Sequence, residues 1–122
     1  MSQAADYITV VETGAFIKAA GGFMSDEERG AFIEYISQNP ESGVMIPGTL
    51  GVRKVRWGIG DKGKSGGARI IYYYHNPLIP VFLLTAYAKN QKTNLSETEK
   101  KLIRTMVRNL CENYQPANRT GA

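Results

Sequence analysis

Five side chains carry the chemistry this sequence could perform: Lys54 and Arg56, then Arg69, then Tyr87 and Lys89. A spacing of two puts Lys54 with Arg56, and Tyr87 with Lys89, on one face of an extended chain, and Arg69 begins the stretch between them. If the three stretches are neighbouring strands, these ends converge into a cationic patch that carries one aromatic ring. Such a set suits a phosphodiester. Cutting RNA with side chains alone requires the ribose 2′-hydroxyl deprotonated, the charge on the pentavalent phosphate neutralised and the leaving 5′-oxygen protonated. Arginine meets the second need by bidentate contact, and a lysine crowded by other cations can lose its proton near neutral pH and serve the first or third. Tyr87 offers a face for stacking an unpaired base and a hydroxyl for hydrogen bonding. A basic sheet that merely binds nucleic acid would use the same residue types.

Other chemistries find less support. His75 is the single histidine, so a paired-histidine ribonuclease is excluded, and its place before Asn76-Pro77 suits a structural role at a strand end. No Asp, Glu or His cluster has metal-ligand spacing, and neither a metal nor a cofactor is expected. Gly58, Gly60 and Gly63 match G-x-G-x-x-G, but that motif binds dinucleotides only where a strand runs into a helix, and here a second strand follows. The glycines read instead as a hairpin loop in which Lys62 and Lys64 can approach a phosphate closely. The sole cysteine, Cys111, can form no internal disulfide and is expected to fill the core of a protein kept in a reducing cytosol.

Charge is unevenly spread along the 122 residues, whose net charge is +4. Residues 1–50 sum to −5, 51–69 to +5 and 70–122 to +4, the pattern of a chain with a polyanionic partner. The longest nearly uncharged apolar run, 77–88, is about half of the ~20 residues a membrane span needs, and acidic Asp6 and Glu12 do not suit a secretory leader. A cytoplasmic protein without membrane contact is expected. The length and the 43% apolar content fit one domain over residues 1–114, with 115–122 a loose tail.

The elements that must position the patch follow from periodicity. Tyr7–Thr13 reads as a strand and Phe16–Ala20 as a short helix. Ser25 with Glu28 forms a capping box that opens a second helix, ended by Asn39-Pro40, with Phe32, Ile33 and Ile36 on its inner side. Val52–Trp57, Ala68–His75 and Val81–Lys89 read as strands whose short connections force an antiparallel meander. A second capping box, Ser96 with Glu99, opens the last helix, where Leu102, Ile103, Met106, Val107, Leu110 and Tyr114 form an apolar stripe and Lys100, Arg104 and Arg108 one that faces solvent, or RNA or the ribosome. The fold class is α+β: a small curved antiparallel sheet of three or four strands flanked by N-terminal helices and a C-terminal helix.

On these residues the chain resembles a known family. Lys54-Val-Arg56-Trp57, the glycine-rich loop, Gly66-Gly67-Ala-Arg69-Ile-Ile-Tyr-Tyr-Tyr74, Val81-Phe-Leu-Leu-Thr-Ala-Tyr87-Ala-Lys89-Asn90 and Leu95-Ser96 are similar to toxins of RelE/HigB-type toxin-antitoxin modules, over about residues 30–110. The resemblance implies a RelE-like fold and ribosome-dependent cleavage of messenger RNA in the A site, leaving 2′,3′-cyclic phosphate and 5′-hydroxyl ends. It implies Lys54, Arg56, Arg69, Tyr87 and Lys89 as catalytic positions; Arg53, Lys62, Lys64 and Lys92 are the further basic residues expected to bind RNA. Implied partners are a cognate antitoxin, the ribosome with its rRNA, mRNA, and operator DNA reached only through the antitoxin complex. Two alternatives stay open: a toxin of the same fold that inhibits DNA gyrase by binding, and a non-catalytic RNA-binding regulator.

Overall fold

The computed structural model describes residues 7–60, 67–92 and 94–113. Local chemistry at three helix starts sets the frame. Helix α1 (Gly14–Ala20) is capped by Thr13, whose hydroxyl oxygen accepts from the Phe16 amide at 3.1 Å and donates to the Leu83 carbonyl at 2.8 Å, fastening the helix start to a strand far along the chain. Helix α2 (Asp26–Gln38) opens with the expected capping box, the Glu28 amide donating to Ser25 Oγ at 3.0 Å and the Ser25 amide to Glu28 Oε1 at 2.9 Å. Helix α3 (Glu97–Asn113) repeats the arrangement with Ser96 and Glu99, at 3.1 and 2.8 Å.

Five strands form one open sheet: β1 (Val10–Glu12), β2 (Val44–Met45), β3 (Val52–Trp57), β4 (Ala68–Tyr73) and β5 (Val81–Ala88). Their spatial order is β1-β5-β4-β3-β2, so the expected meander forms its centre. Two strands go beyond the expected three or four antiparallel ones. The first strand joins the sheet parallel to β5, and a two-residue strand pairs on the outer side of β3. The sheet is therefore mixed.

Both sheet faces are covered, which is why β4 is buried along its whole length. On one face Ala68, Ile70, Tyr72, Val81 and Leu83 pack against Phe16, Ala20, Phe32 and Ile36 of α1 and α2, with Trp57 edge-on to Phe32 at 5.2 Å. On the other, Val52, Ile71, Tyr73, Phe82, Leu84 and Tyr87 pack against Ile103 and Val107 of α3. Tyr72 is wholly buried, and its hydroxyl stays satisfied by accepting from the Gly43 amide and donating to the Pro40 carbonyl, both at 2.8 Å.

An irregularity in β5 decides which face carries which residue. Ile71 pairs with Thr85 and Tyr72 with Leu83, so Leu84 is an extra residue, a β-bulge. Up to and including it the even-numbered Phe82 and Leu84 face α3; after it the odd-numbered Tyr87 does.

Several expectations change. Leu102 is 62% exposed rather than core, because the buried side of α3 is narrower than its apolar stripe. Cys111 is exposed near the end of α3 and donates its thiol to the Tyr73 hydroxyl at 3.6 Å, so it does not fill the core. Arg104 is not merely solvated, since its guanidinium donates to the Gly48 carbonyl at 2.8 Å. Lys62, Lys64, Tyr114 and the tail 115–122 lie outside the described residues. Among the described residues no helix is long and apolar enough to cross a membrane.

Candidate functional site

Three central strands bring the strand-borne residues into one row. Arg56 on β3 stands opposite Arg69 on β4, and Arg69 stands opposite Tyr87 on β5. Lys54 is two residues from Arg56 and lies on the same face, the one that α3 partly covers. Directly opposed residues of antiparallel strands have Cβ atoms roughly 4.5–5.5 Å apart, and like charges in that relation destabilise a sheet. Two arginines so placed make a site whose repulsion an anion would relieve.

Exposure is graded along the row. Arg56 is open to solvent, Lys54 is half-buried, Arg69 is 8% exposed and Tyr87 is 4% exposed. Burial raises the pKa of the Tyr87 hydroxyl above its usual 10.0; the Arg69 charge opposes the rise and the Glu99 carboxylate adds to it. Lys92 holds its ammonium over the Tyr87 ring, 5.1 Å from the centroid, while paired with Glu99. The ring that alternation offers as an open stacking face is thus roofed by Lys92 and packed within the α3 core.

Glu99 is the residue that reading the sequence missed here. One of its oxygens completes the capping box on Ser96, and the other takes Lys92, contacts that hold its carboxyl below the ordinary carboxylate value, the Lys92 bond first. A capping-box glutamate has a second oxygen to give, and Lys92 lies four residues before Ser96; that was the available signal.

The two ends of the β3–β4 connection are tightly fitted. A Cβ added at Gly67 would lie 2.4 Å from the Trp57 carbonyl oxygen, so only glycine fits there. The Gly67 carbonyl accepts from the Lys89 amide at 2.9 Å, which places Lys89 just past β5 at the same end of the sheet as the row. Gly60 donates its amide to Glu28 Oε2 at 2.6 Å. Arg53 does not join the row. It lies on the other face, donating to the Glu41 and Gly43 carbonyls at 3.1 and 2.8 Å. Among the described residues no group of three or more His, Cys, Asp or Glu side chains stands together as a metal site.

A small α+β protein with a graded row of cations and one tyrosine across three strands is the class that this fold and site define. The family model of the RelE toxin of the RelE/RelB toxin-antitoxin system matches residues 33–117. The chain belongs to that family, and it is accordingly the toxin of a toxin-antitoxin module, with a cognate antitoxin as its partner.

Proposed function

We propose that this toxin is a ribosome-dependent endoribonuclease that cuts messenger RNA in the A site through its own side chains, leaving 2′,3′-cyclic phosphate and 5′-hydroxyl ends. The observation that carries the proposal is the register Arg56–Arg69–Tyr87, with Lys54 beside it on the same face. Arg56, the exposed member, meets the incoming phosphate, and Arg69, held in a drier setting, neutralises the charge that builds on phosphorus. Interactions of that kind strengthen as water is excluded. Lys54 and Lys89 stand at hand for proton transfer to or from the ribose and leaving oxygens. Tyr87, opposite Arg69, offers a hydroxyl as a further donor in this reading; stacking of a base on its ring requires Lys92 to move aside.

The cognate antitoxin, on this proposal, is acidic where it meets the toxin and covers Lys54, Arg56 and Arg69. Incubating purified toxin with translating ribosomes and mapping mRNA 5′ ends tests the activity. New 5′-hydroxyl ends within codons at the A site are expected. Gyrase inhibition without new RNA ends would reject the nuclease in favour of a binding toxin.

A further inference from the structure

Lys54 does more than flank the arginine row, because its side chain also walls a separate hollow. A cavity of about 310 Å³ is lined by Ile46, Pro47, Lys54, Asn94, Leu95 and Lys100. Three parts of the fold meet there: the β2–β3 turn, strand β3, and the first turns of α3 with the segment before it. Its walls are fixed without a ligand. The Ile46 amide donates to the Val52 carbonyl at 2.8 Å, and buried Thr49 donates its hydroxyl to the Ile46 carbonyl at 2.6 Å. Leu50 is held at φ 66° between Gly48 at 76° and Gly51 at 97°, a conformation a leucine adopts only when its surroundings impose it. The Arg104 bond to the Gly48 carbonyl then straps α3 to this turn.

The lining chemistry has one sign. Two lysines and one asparagine are among the lining residues, and none of the lining residues is a carboxylate. Lys100 has Glu97 at 3.5 Å, but the Glu97 side chain is 88% exposed, and so open an ion pair is weak and yields to a better-placed anion. Lys54 and Arg56 are two residues apart on one face, roughly 6.6 Å along the strand, which is comparable with one nucleotide step of an extended single strand.

We infer that this cavity is a second phosphate subsite, in which Lys54, Lys100 and Asn94 hold the phosphodiester neighbouring the one bound at Arg56 and Arg69. The inference rests on RNA being the substrate, and it gives the helix α3 a binding role that the row alone does not. Phosphate contacts of this kind fix the register of a strand without reading its bases.

The test compares Lys100→Ala with Lys101→Ala, an equal charge change at an exposed neighbour outside the cavity. Binding of a short single-stranded RNA is measured by fluorescence anisotropy over a salt series, and inorganic phosphate is titrated while the Lys100 and Asn94 resonances are followed by NMR. Lys100→Ala is expected to weaken RNA binding about tenfold and to lower the salt slope by roughly one, with Lys101→Ala near wild type. Phosphate should shift Lys100 and Asn94 in the wild type and in Lys101→Ala, while Asn94 should stay unmoved in Lys100→Ala. Equal effects of the two variants, no phosphate response, or a loss confined to antitoxin binding each overturn the subsite. RNA that binds through Lys100 and is never cut on ribosomes leaves the subsite standing and removes the nuclease proposal, whereas cleavage and binding indifferent to Lys100 remove the subsite only.

Discussion

Tyr87 stands opposite Arg69 because Leu84 is one residue too many for a regular strand. The bulge changes the phase of β5, so the same alternation that buries Phe82 under α3 delivers Tyr87 to the arginine row five residues later.

Tyr87 therefore has two roles that substitution must separate. Tyr87→Ala empties a 96%-buried ring position and, by the usual cost of removing a buried aromatic, should lose about 3 to 5 kcal/mol and lower the melting temperature. Tyr87→Phe keeps the packing. Ribosome-dependent cleavage should fall at least tenfold in Tyr87→Phe while its melting temperature stays near wild type; unchanged cleavage makes Tyr87 a core residue and nothing more.

Arg56 and Arg69 face each other with like charge, so activity and stability should move apart. Arg56→Gln is expected to retain or slightly raise the melting temperature while cleavage drops by 10² to 10³, the roughly 3 to 4 kcal/mol carried by one preorganised donor. Val107→Ala supplies the contrast: a 1%-exposed residue of α3 whose loss should lower the melting temperature without touching the rate per folded molecule. Thermal melts and cleavage rates on the same preparations decide it. A folded Arg56→Gln that cuts at full rate contradicts the proposed site.

The molecule should lose stability on the acid side through two capping glutamates. The Ser25 and Gly60 amides hold the Glu28 carboxyl below its usual 4.5, and Lys92 with the Ser96 amide does the same for Glu99. A carboxyl whose value is lower folded than unfolded contributes fully above about 4.5, and that contribution disappears as pH falls through the depressed folded value. Urea midpoints should thus be level near neutrality and fall below pH 4.5. Glu28→Gln should be less stable at pH 7 and lose less on acidification. Parallel curves for the two proteins would exclude Glu28 as a contributor.

Gly67 has no room for a side chain. Gly67→Ala should cost about 1 to 3 kcal/mol through overpacking against the Trp57 carbonyl and should loosen the Lys89 amide bond, read as faster hydrogen exchange there. An alanine variant with wild-type melting temperature and exchange would mean that the strands part freely at this end.

What the sequence disclosed, and what it did not, divides by range of interaction. Both capping boxes, the limits of β3 and the meander are consequences of neighbours within a few residues, and Ser25, Ser96 and Val52–Trp57 announced them. Alternation is the same for parallel and antiparallel strands, so nothing local could show that Val10–Glu12 lies parallel to β5. Val44–Met45 is two exposed residues that form a strand only because β3 is there to pair with. Lys54, Arg56 and Arg69 were legible as a set because their spacing and charge are local, and the regular meander joins them. Tyr87 was found by a simple alternation that the bulge interrupts, and its burial depends on where α3 lies, which no nearby residue encodes. Arg53 shows the converse: its charge drew it into the expected RNA surface, whereas alternation assigns it the opposite face.

The connection between β3 and β4 is closed at its neck from both sides, by Glu28 on Gly60 and by Gly67 on the Lys89 amide. Those two clasps bear on backbone groups at Gly60, Gly67 and Lys89. Whatever disturbs those ends reaches the arginine row directly, since Gly60 stands four residues after Arg56 and Gly67 two before Arg69. Selection and engineering alike must respect those two contacts: a change at Glu28 or Gly67 acts on the end of the sheet that carries Arg56 and Arg69.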